Sequence, residues 1–376
     1  MAPVLQDARP ERSLSTGSAA PYTGGQTIGV DRRWGEHVTG IQGGSPTLEM
    51  VAALAGVSRA TVSRVVNNSP KVSPRVTDTV NDAIAALNYV PNRAARSLAS
   101  RRTRTIALVM PESTARLFSD PFLASVTQGI ALHLADTEYT LTMLIASDAT
   151  PEKTQRYLLG GNVDGALVVS HHSGDHSLGE VSRTLPVVFG GRPLVEGTAA
   201  TYFVDVDNYA GARAATEHLI GRGLRQHGTI AGPQDMPPGL DRLTGWRDAL
   251  EARGLDHSFV EAGDFTPESG AAAMTRMLDR GIPLDALFVA NDQMAAGVYS
   301  VLNERGLSIP GDIAVVGFDD NFFGATATPP LTTVRQPSNQ LGAKMADVLV
   351  RVIEGRDVAR VTMLPTELVV RGSTAV

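Results

Sequence analysis

Between Thr47 and Asn67 this 376-residue chain has very little conformational freedom. Leu48, Val51, Ala52 and Ala55 recur at the spacing of one helical face. Gly56 follows, the residue type that closes a helix in the left-handed conformation. Val57 can pack into the bend, and Ser58 can cap a second helix because its hydroxyl accepts an orphan backbone N–H. In that second helix Val62, Val65 and Val66 share one side, leaving Arg59, Ala60, Ser63 and Arg64 on the other. Ser73-Pro74 opens a third amphipathic helix through Val76, Val80, Ala83, Ile84 and Leu87, which Asn88 can end in the left-handed region. Two helices, a tight glycine turn and a small, polar, basic outer face make the helix-turn-helix pattern. The alternative is a helical hairpin buried in a larger core.

Charge separates the two. Residues 47–104 carry Lys71 and eight arginines against Glu49, Asp78 and Asp82, a balance of +6. The whole chain is −6, so the remainder carries −12. A basic module on an acidic body is the footprint of a protein that grips phosphate backbones and confines that contact to one place. The outer face of the second helix is then expected to enter a DNA major groove.

The wider composition bounds the rest. The length suggests two or three domains. No apolar run approaches a membrane span, and the first residues carry no secretory signal, so a cytoplasmic protein is expected. Without cysteine there is no disulfide framework, thiolate metal site or thiol nucleophile. Residues 1–46, rich in Gly, Ser, Ala and Pro with four acidic residues and four arginines, read as a disordered extension.

Two stretches, G-V-S-R-A-T-V-S-R-V-V-N (56–67) and Y-V-P-N-R-A-A-R-S-L (89–98), resemble the lactose-repressor (LacI–GalR) family of bacterial transcription regulators, and the likeness runs from about Thr47 to the C-terminus. The resemblance implies that Arg59, Ala60 and Arg64 read bases, while Thr61, Ser63, Lys71 and Arg75 are expected at phosphates. It implies a hinge helix over residues 92–100, capped by Asn92, with Leu98 as a wedge in the minor groove. So short a helix is marginal alone in water and would order as a pair on DNA.

From Thr105 short apolar runs alternate with helical segments. Residues 106–110, 141–145, 166–169 and 187–189 read as strands, with helices at 121–137 and 151–160. The alternation resumes with helix 208–222, strand 228–231, helix 241–253, strand 286–290, helix 291–305, strand 313–318 and helix 339–354. Alternation of this kind predicts parallel sheets. The fold class expected is therefore an N-terminal all-α helix-turn-helix domain (47–91), a hinge and linker (92–104), and an α/β two-lobed domain like the periplasmic binding proteins (105–376). Its first lobe would hold about 105–203 and 336–365, its second about 204–335 and 366–376, with crossings near Val204 and Arg335–Gln336.

Ligands of open parallel sheets lie beyond the carboxyl ends of the strands, here between the lobes. The resemblance assigns effector-binding roles to Arg242 of D-R-L-T-G-W, Asn291 of A-N-D-Q-M and Asp319 of G-F-D-D. Guanidinium, amide and carboxylate together suit the hydroxyls of a sugar. Phe122 of S-D-P-F could stack on an apolar ligand face, and Ser170 and His171 follow the third strand. Asp319 could instead cap a turn, and Arg242 could form a surface pair. Where the lactose repressor has an aspartate after a P-x-x-F-type strand this chain has Gly190-Gly191, which argues against the same galactoside. His171, His172 and His176 lack a carboxylate at metalloenzyme spacing, so no metal and no cofactor is expected. The hydrolase, metalloprotease, phosphate-loop and dinucleotide motifs are missing, which argues against an enzyme. The expected protein is a regulator, most simply a repressor, whose affinity for a near-palindromic operator is set by a small molecule, a sugar by preference. The family's leucine-repeat tail is missing from V-V-R-G-S-T-A-V, so the partner expected is a second copy in a homodimer. The rival is a sugar-binding transport component, which residues 105–376 also resemble.

Overall fold

The structure, a computed structural model, describes residues 46–67, 69–90, 102–145, 151–174, 176–194 and 201–375. The proposed extension up to residue 45, and the hinge with Asn92 and Leu98, lie outside them. The chain forms two compact units, divided after Pro91.

The first unit is three helices, α1 (Leu48–Ala55), α2 (Arg59–Val66) and α3 (Pro74–Ala86). Gly56 takes φ 64°, so α1 stops there. The Ser58 hydroxyl accepts the Thr61 N–H at 3.2 Å and fixes the start of α2. Ser73 sits at the N-cap of α3 without a side-chain cap bond, and Pro74 supplies the helical start. Val51, Val62 and Val80, one from each helix, are fully buried together. Asn88 closes the unit at φ 47°.

The second unit is two lobes. In the first lobe β1 (Thr105–Met110), β2 (Thr140–Ile145), β3 (Gly165–Val169), β4 (Val187–Gly190), β5 (Tyr202–Val206) and β11 (Val361–Leu364) lie in the order β11-β5-β4-β3-β1-β2, all parallel. The second sheet, order β12-β10-β9-β8-β6-β7, uses β6 (His227–Ala231), β7 (Val260–Ala262), β8 (Ala286–Val289), β9 (Ala314–Asp319), β10 (Thr332–Arg335) and β12 (Glu367–Val369). Its edge strand β12 runs antiparallel to β10, a departure from the all-parallel expectation. Buried strands with continuous apolar faces, such as Ile106–Met110, are what a sheet covered on both sides requires.

The first crossing comes later than expected. Pairing with β4 and β11 keeps the chain in the first sheet through Val206, so residues 204–206 belong to the first lobe and not the second. The chain returns after Arg335 as a long helix, Ser338–Ile353, and crosses a last time between Leu364 and Glu367. That helix packs on Pro121–Ala135 at very short range: a Cβ at Gly129 would lie 1.9 Å from the Asn339 carbonyl oxygen, and one at Gly342 would lie 2.0 Å from that of Val126. Helix Thr114–Ser119, which periodicity missed, and helix Pro237–Glu251, which starts earlier than expected, both contribute to the cleft.

Candidate functional site

Strand ends from both lobes face a cleft of about 670 Å³, part of it open to solvent. Phe122, Ser170, His171, Arg242, Asn291 and Asp319 all line it. Arg242 is 4% exposed, not a surface residue. Its Nε donates to Asn208 Oδ1 at 2.9 Å and its Nη1 to the Ala290 carbonyl at 2.6 Å, with Asp319 Oδ1 at 3.5 Å. Its guanidinium lies 3.7 Å from the centroid of the Phe318 ring, so an aromatic face and a carbonyl hold the fork rigidly. Asp319 accepts from Gln336 Nε2 at 2.5 Å. Burial drives its carboxyl up to about 7, against the pull of Arg242.

Three cleft residues hold backbone conformations unusual for side-chain-bearing residues: Ser170 at φ 62°, Phe265 at φ 71° and Asp319 at φ 113°. Such outliers persist where surrounding structure over-determines them, and they gather at ligand sites. Asn291 plays a second part: its Oδ1 caps the helix Asp292–Glu304 through the Met294 N–H, and its Nδ2 donates to the Phe265 carbonyl. Ser170 donates to Glu112 at 2.6 Å. His171 is 5% exposed, edge-on to Phe189, with Nε2 3.3 Å from the Gly191 carbonyl oxygen.

The structure adds residues that periodicity did not single out. Asp205 is held by the Arg192 and Val206 N–H groups, each 2.8 Å away, and burial raises its carboxyl. Asp120 caps the helix Pro121–Ala135, and burial raises it too. Asn208, Arg116, Phe265 and Gln336 complete the ring of polar and aromatic groups. Arg116, from the first lobe, stands 6.0 Å from the centroid of Phe265 in the second. Among the described residues no group of three or more His, Cys, Asp or Glu is arranged to hold a metal ion.

On the helical unit, Arg59, Ala60 and Arg64 are exposed on one side of α2, while Val62 and Val65 are buried behind them. Thr61 and Ser63 are half-buried, and Lys71 and Arg75 exposed. Arg59 Nη1 lies 3.2 Å from Glu49 Oε1, both side chains well exposed. In high dielectric that pair contributes little. The Thr61 hydroxyl is 2.9 Å from that of Ser58, within the cap.

Residues 47–92 match the bacterial regulatory proteins of the lacI family, and residues 216–374 a periplasmic binding protein-like domain. The transcriptional regulator CelR of Thermobifida fusca is 46% identical over 335 residues, 87% of this chain and 98% of that protein. The chain belongs to the lacI family. The ribose operon repressor of Escherichia coli K12 is 34% identical over 82% of the chain and 93% of that protein. A solved CelR–cellobiose complex matches with a TM-score of 0.69 at 44% identity, covering 87% of this chain and 99% of that one. The lac repressor dimer bound to operator and the anti-inducer ONPF matches with a TM-score of 0.79 at 30% identity, covering 89% and 100%. The protein is a DNA-binding transcription regulator and not an enzyme, and no described helix is long and apolar enough to cross a membrane.

Two local signals that periodicity passed over set helix starts near the cleft. Thr266-Pro267 is a cap followed by proline at the first helical position, and it turns Phe265 toward the cleft. Pro237-Pro238 starts its helix four residues ahead of the expected Asp241, because proline is tolerated in a first turn.

Proposed function

We propose that this protein is a cytoplasmic, homodimeric repressor whose operator binding is set by a neutral sugar held between its lobes, a β-linked glucose disaccharide such as cellobiose being the first candidate. The observation that carries the reading is the cleft's mixture of groups. Phe122 and Phe265 offer aromatic faces from opposite lobes, and Arg242, Asn208, Gln336 and the carboxyls of Asp120, Asp205 and Asp319 offer donors and acceptors. Three carboxyls raised by burial repel a phosphate or carboxylate ligand but accept hydroxyl hydrogens readily. The relative solved with cellobiose supports the choice. A Cβ at Gly190 would lie 2.9 Å from Met345 Sδ, and Gly191, at φ 99°, holds a backbone conformation that disfavours a side chain.

On the DNA side Arg59, Ala60 and Arg64 read base edges, and Thr61, Ser63, Lys71 and Arg75 contact phosphates. Leu98 wedges the minor groove between paired hinges. A ligand that bridges both lobes favours one lobe arrangement and thereby changes the hinge spacing. Binding of sugar and operator is then reciprocally coupled, by about 1–3 kcal/mol in ordinary cases.

The test is a titration of operator DNA, obtained by in vitro selection with this protein, with and without cellobiose. A shift of five-fold or more in the dissociation constant supports the reading. No shift with cellobiose or with a panel of other neutral sugars removes it. Asp319→Asn should lose the response while keeping operator affinity in the absence of sugar.

A further inference from the structure

Beside the cleft, and sharing Arg116 and Ser170 with it, the lobes meet through an ionic cluster that is buried at Glu112 and partly exposed at His172 and Asp235. Glu112 follows β1 in the first lobe and is 8% exposed. It accepts from the Ser170 hydroxyl at 2.6 Å, with Arg116 Nε at 3.4 Å and His172 Nε2 at 3.5 Å. The other nitrogen of the same ring, His172 Nδ1, lies 2.7 Å from Asp235 Oδ2, on the second lobe between β6 and Pro237–Glu251. The Ser173 N–H donates to the Asp235 carbonyl at 2.9 Å, so backbone follows side chain across the same junction. An imidazole with a carboxylate on each nitrogen can satisfy both only when both nitrogens carry protons.

We infer that His172 is a clasp between the lobes, a positioning residue that sets how firmly they close over the effector without touching it. The inference rests on the effector reading above. Among the described residues, Glu112, Arg116 and Asp235 are charged groups that face the ring. Burial would raise Glu112, but hydrogen bonds from His172 and Ser170 and the charge of Arg116 hold it below its ordinary range, so it stays ionised. The hydrogen bond to Glu112 raises the His172 imidazolium to about 9 against the opposing effect of burial, with Asp235 adding to the rise. When the lobes part, the ring keeps Glu112 but loses Asp235, so its imidazolium falls from about 9 part of the way toward its ordinary value. The clasp is therefore fully present at low pH and is lost as pH rises through 9.

A bridging ligand binds more tightly to a chain that closes more easily. The full-length protein should bind cellobiose more weakly at pH 10 than at pH 8, by no more than about tenfold, the ceiling that linkage gives for a group moving from about 6.5 to about 9 on closure. His172→Gln should start weaker than the wild type at pH 8 and show no further loss at pH 10. Asp235→Asn should flatten the profile in the same direction. A pH-independent wild type, or a His172→Gln protein that keeps the wild-type slope, would overturn the inference. Hydrogen exchange of peptides spanning Ser173, corrected for intrinsic rates, reads closure without any sugar. Faster exchange there in His172→Gln at pH 8 upholds the clasp even if cellobiose fails to bind, and unchanged exchange refutes it whatever the sugar does.

Discussion

At the scale of single residues, the arginines of α2 and the carboxyl of Asp319 make different kinds of contribution. Arg59 projects from a helix whose far side is fully buried, so its removal leaves the fold intact. Arg59→Ala should weaken specific operator binding by about 1–3 kcal/mol and relax preference at one position in each half-site. An operator logo selected with the mutant and identical to that of the wild type would take Arg59 out of base reading. Asp319 is buried beside Arg242 with a carboxyl near 7, so its charge changes across neutral pH. An ionised carboxylate accepts sugar hydroxyls at both oxygens, whereas the protonated acid has lost one acceptor. Sugar affinity should therefore fall by up to about tenfold from pH 8 to pH 6, and the fall should vanish in Asp319→Asn. Calorimetry at the two pH values measures it. This window lies below that of His172, so the two titrations separate.

At the scale of elements, helix packing in the first lobe depends on the lack of side chains. Gly129 and Gly342 each face the backbone carbonyl of the opposing helix at a distance no Cβ tolerates. Gly342→Ala should force the two helices apart and destabilise the effector domain by about 1–3 kcal/mol, the usual range for overpacking. Thermal unfolding with and without sugar reads the loss, and an unchanged transition would mean the helices slide at no cost. The same helix pair joins the cleft to the crossing at Gln336, whose side-chain amide holds Asp319. Loosening it should weaken sugar binding along with stability. Strand β12 is a different case: three antiparallel residues that tie the end of the chain to β10 and leave the parallel core unchanged.

At the scale of the whole molecule, two salt bridges and a few hydrogen bonds join the lobes at the cleft among the described residues. Arg192 of the first lobe donates through Nη2 to both oxygens of Asp241 in the second, at 2.9 and 3.1 Å, and Gln293 Nε2 reaches the Ser119 carbonyl at 3.4 Å. Arg192 and Asp241 are partly exposed, so the pair contributes little at ordinary salt. Arg192→Ala should change sugar affinity less than threefold, with an effect that grows at low ionic strength. A larger loss in 0.5 M salt would make Arg192 a direct ligand contact. An interface of this kind lets the lobes move against each other for small changes in free energy, as coupling between sugar and operator requires.

By itself the sequence determined the three-helix unit almost completely. Caps, a left-handed glycine and valines three and four apart act within a turn or two of the chain, where local geometry decides the outcome. It also located Phe122, Ser170, His171, Arg242, Asn291 and Asp319, because a strand end followed by a helix start is a local event and each motif resembles its family. The tertiary structure alone decided the rest. Asp205 interrupts the apolar run of β5, so pairing with two neighbouring strands, not hydrophobic pattern, keeps residues 202–206 in the first sheet. Asn208 meets Arg242 across 34 residues of chain, and Ser170 meets Glu112 across 58. His172 meets Asp235 across 63 residues and between lobes. Periodicity describes which face of an element is buried; it carries nothing about which distant element lies opposite. Side chains buried at a junction owe their partners and their charge states to that arrangement.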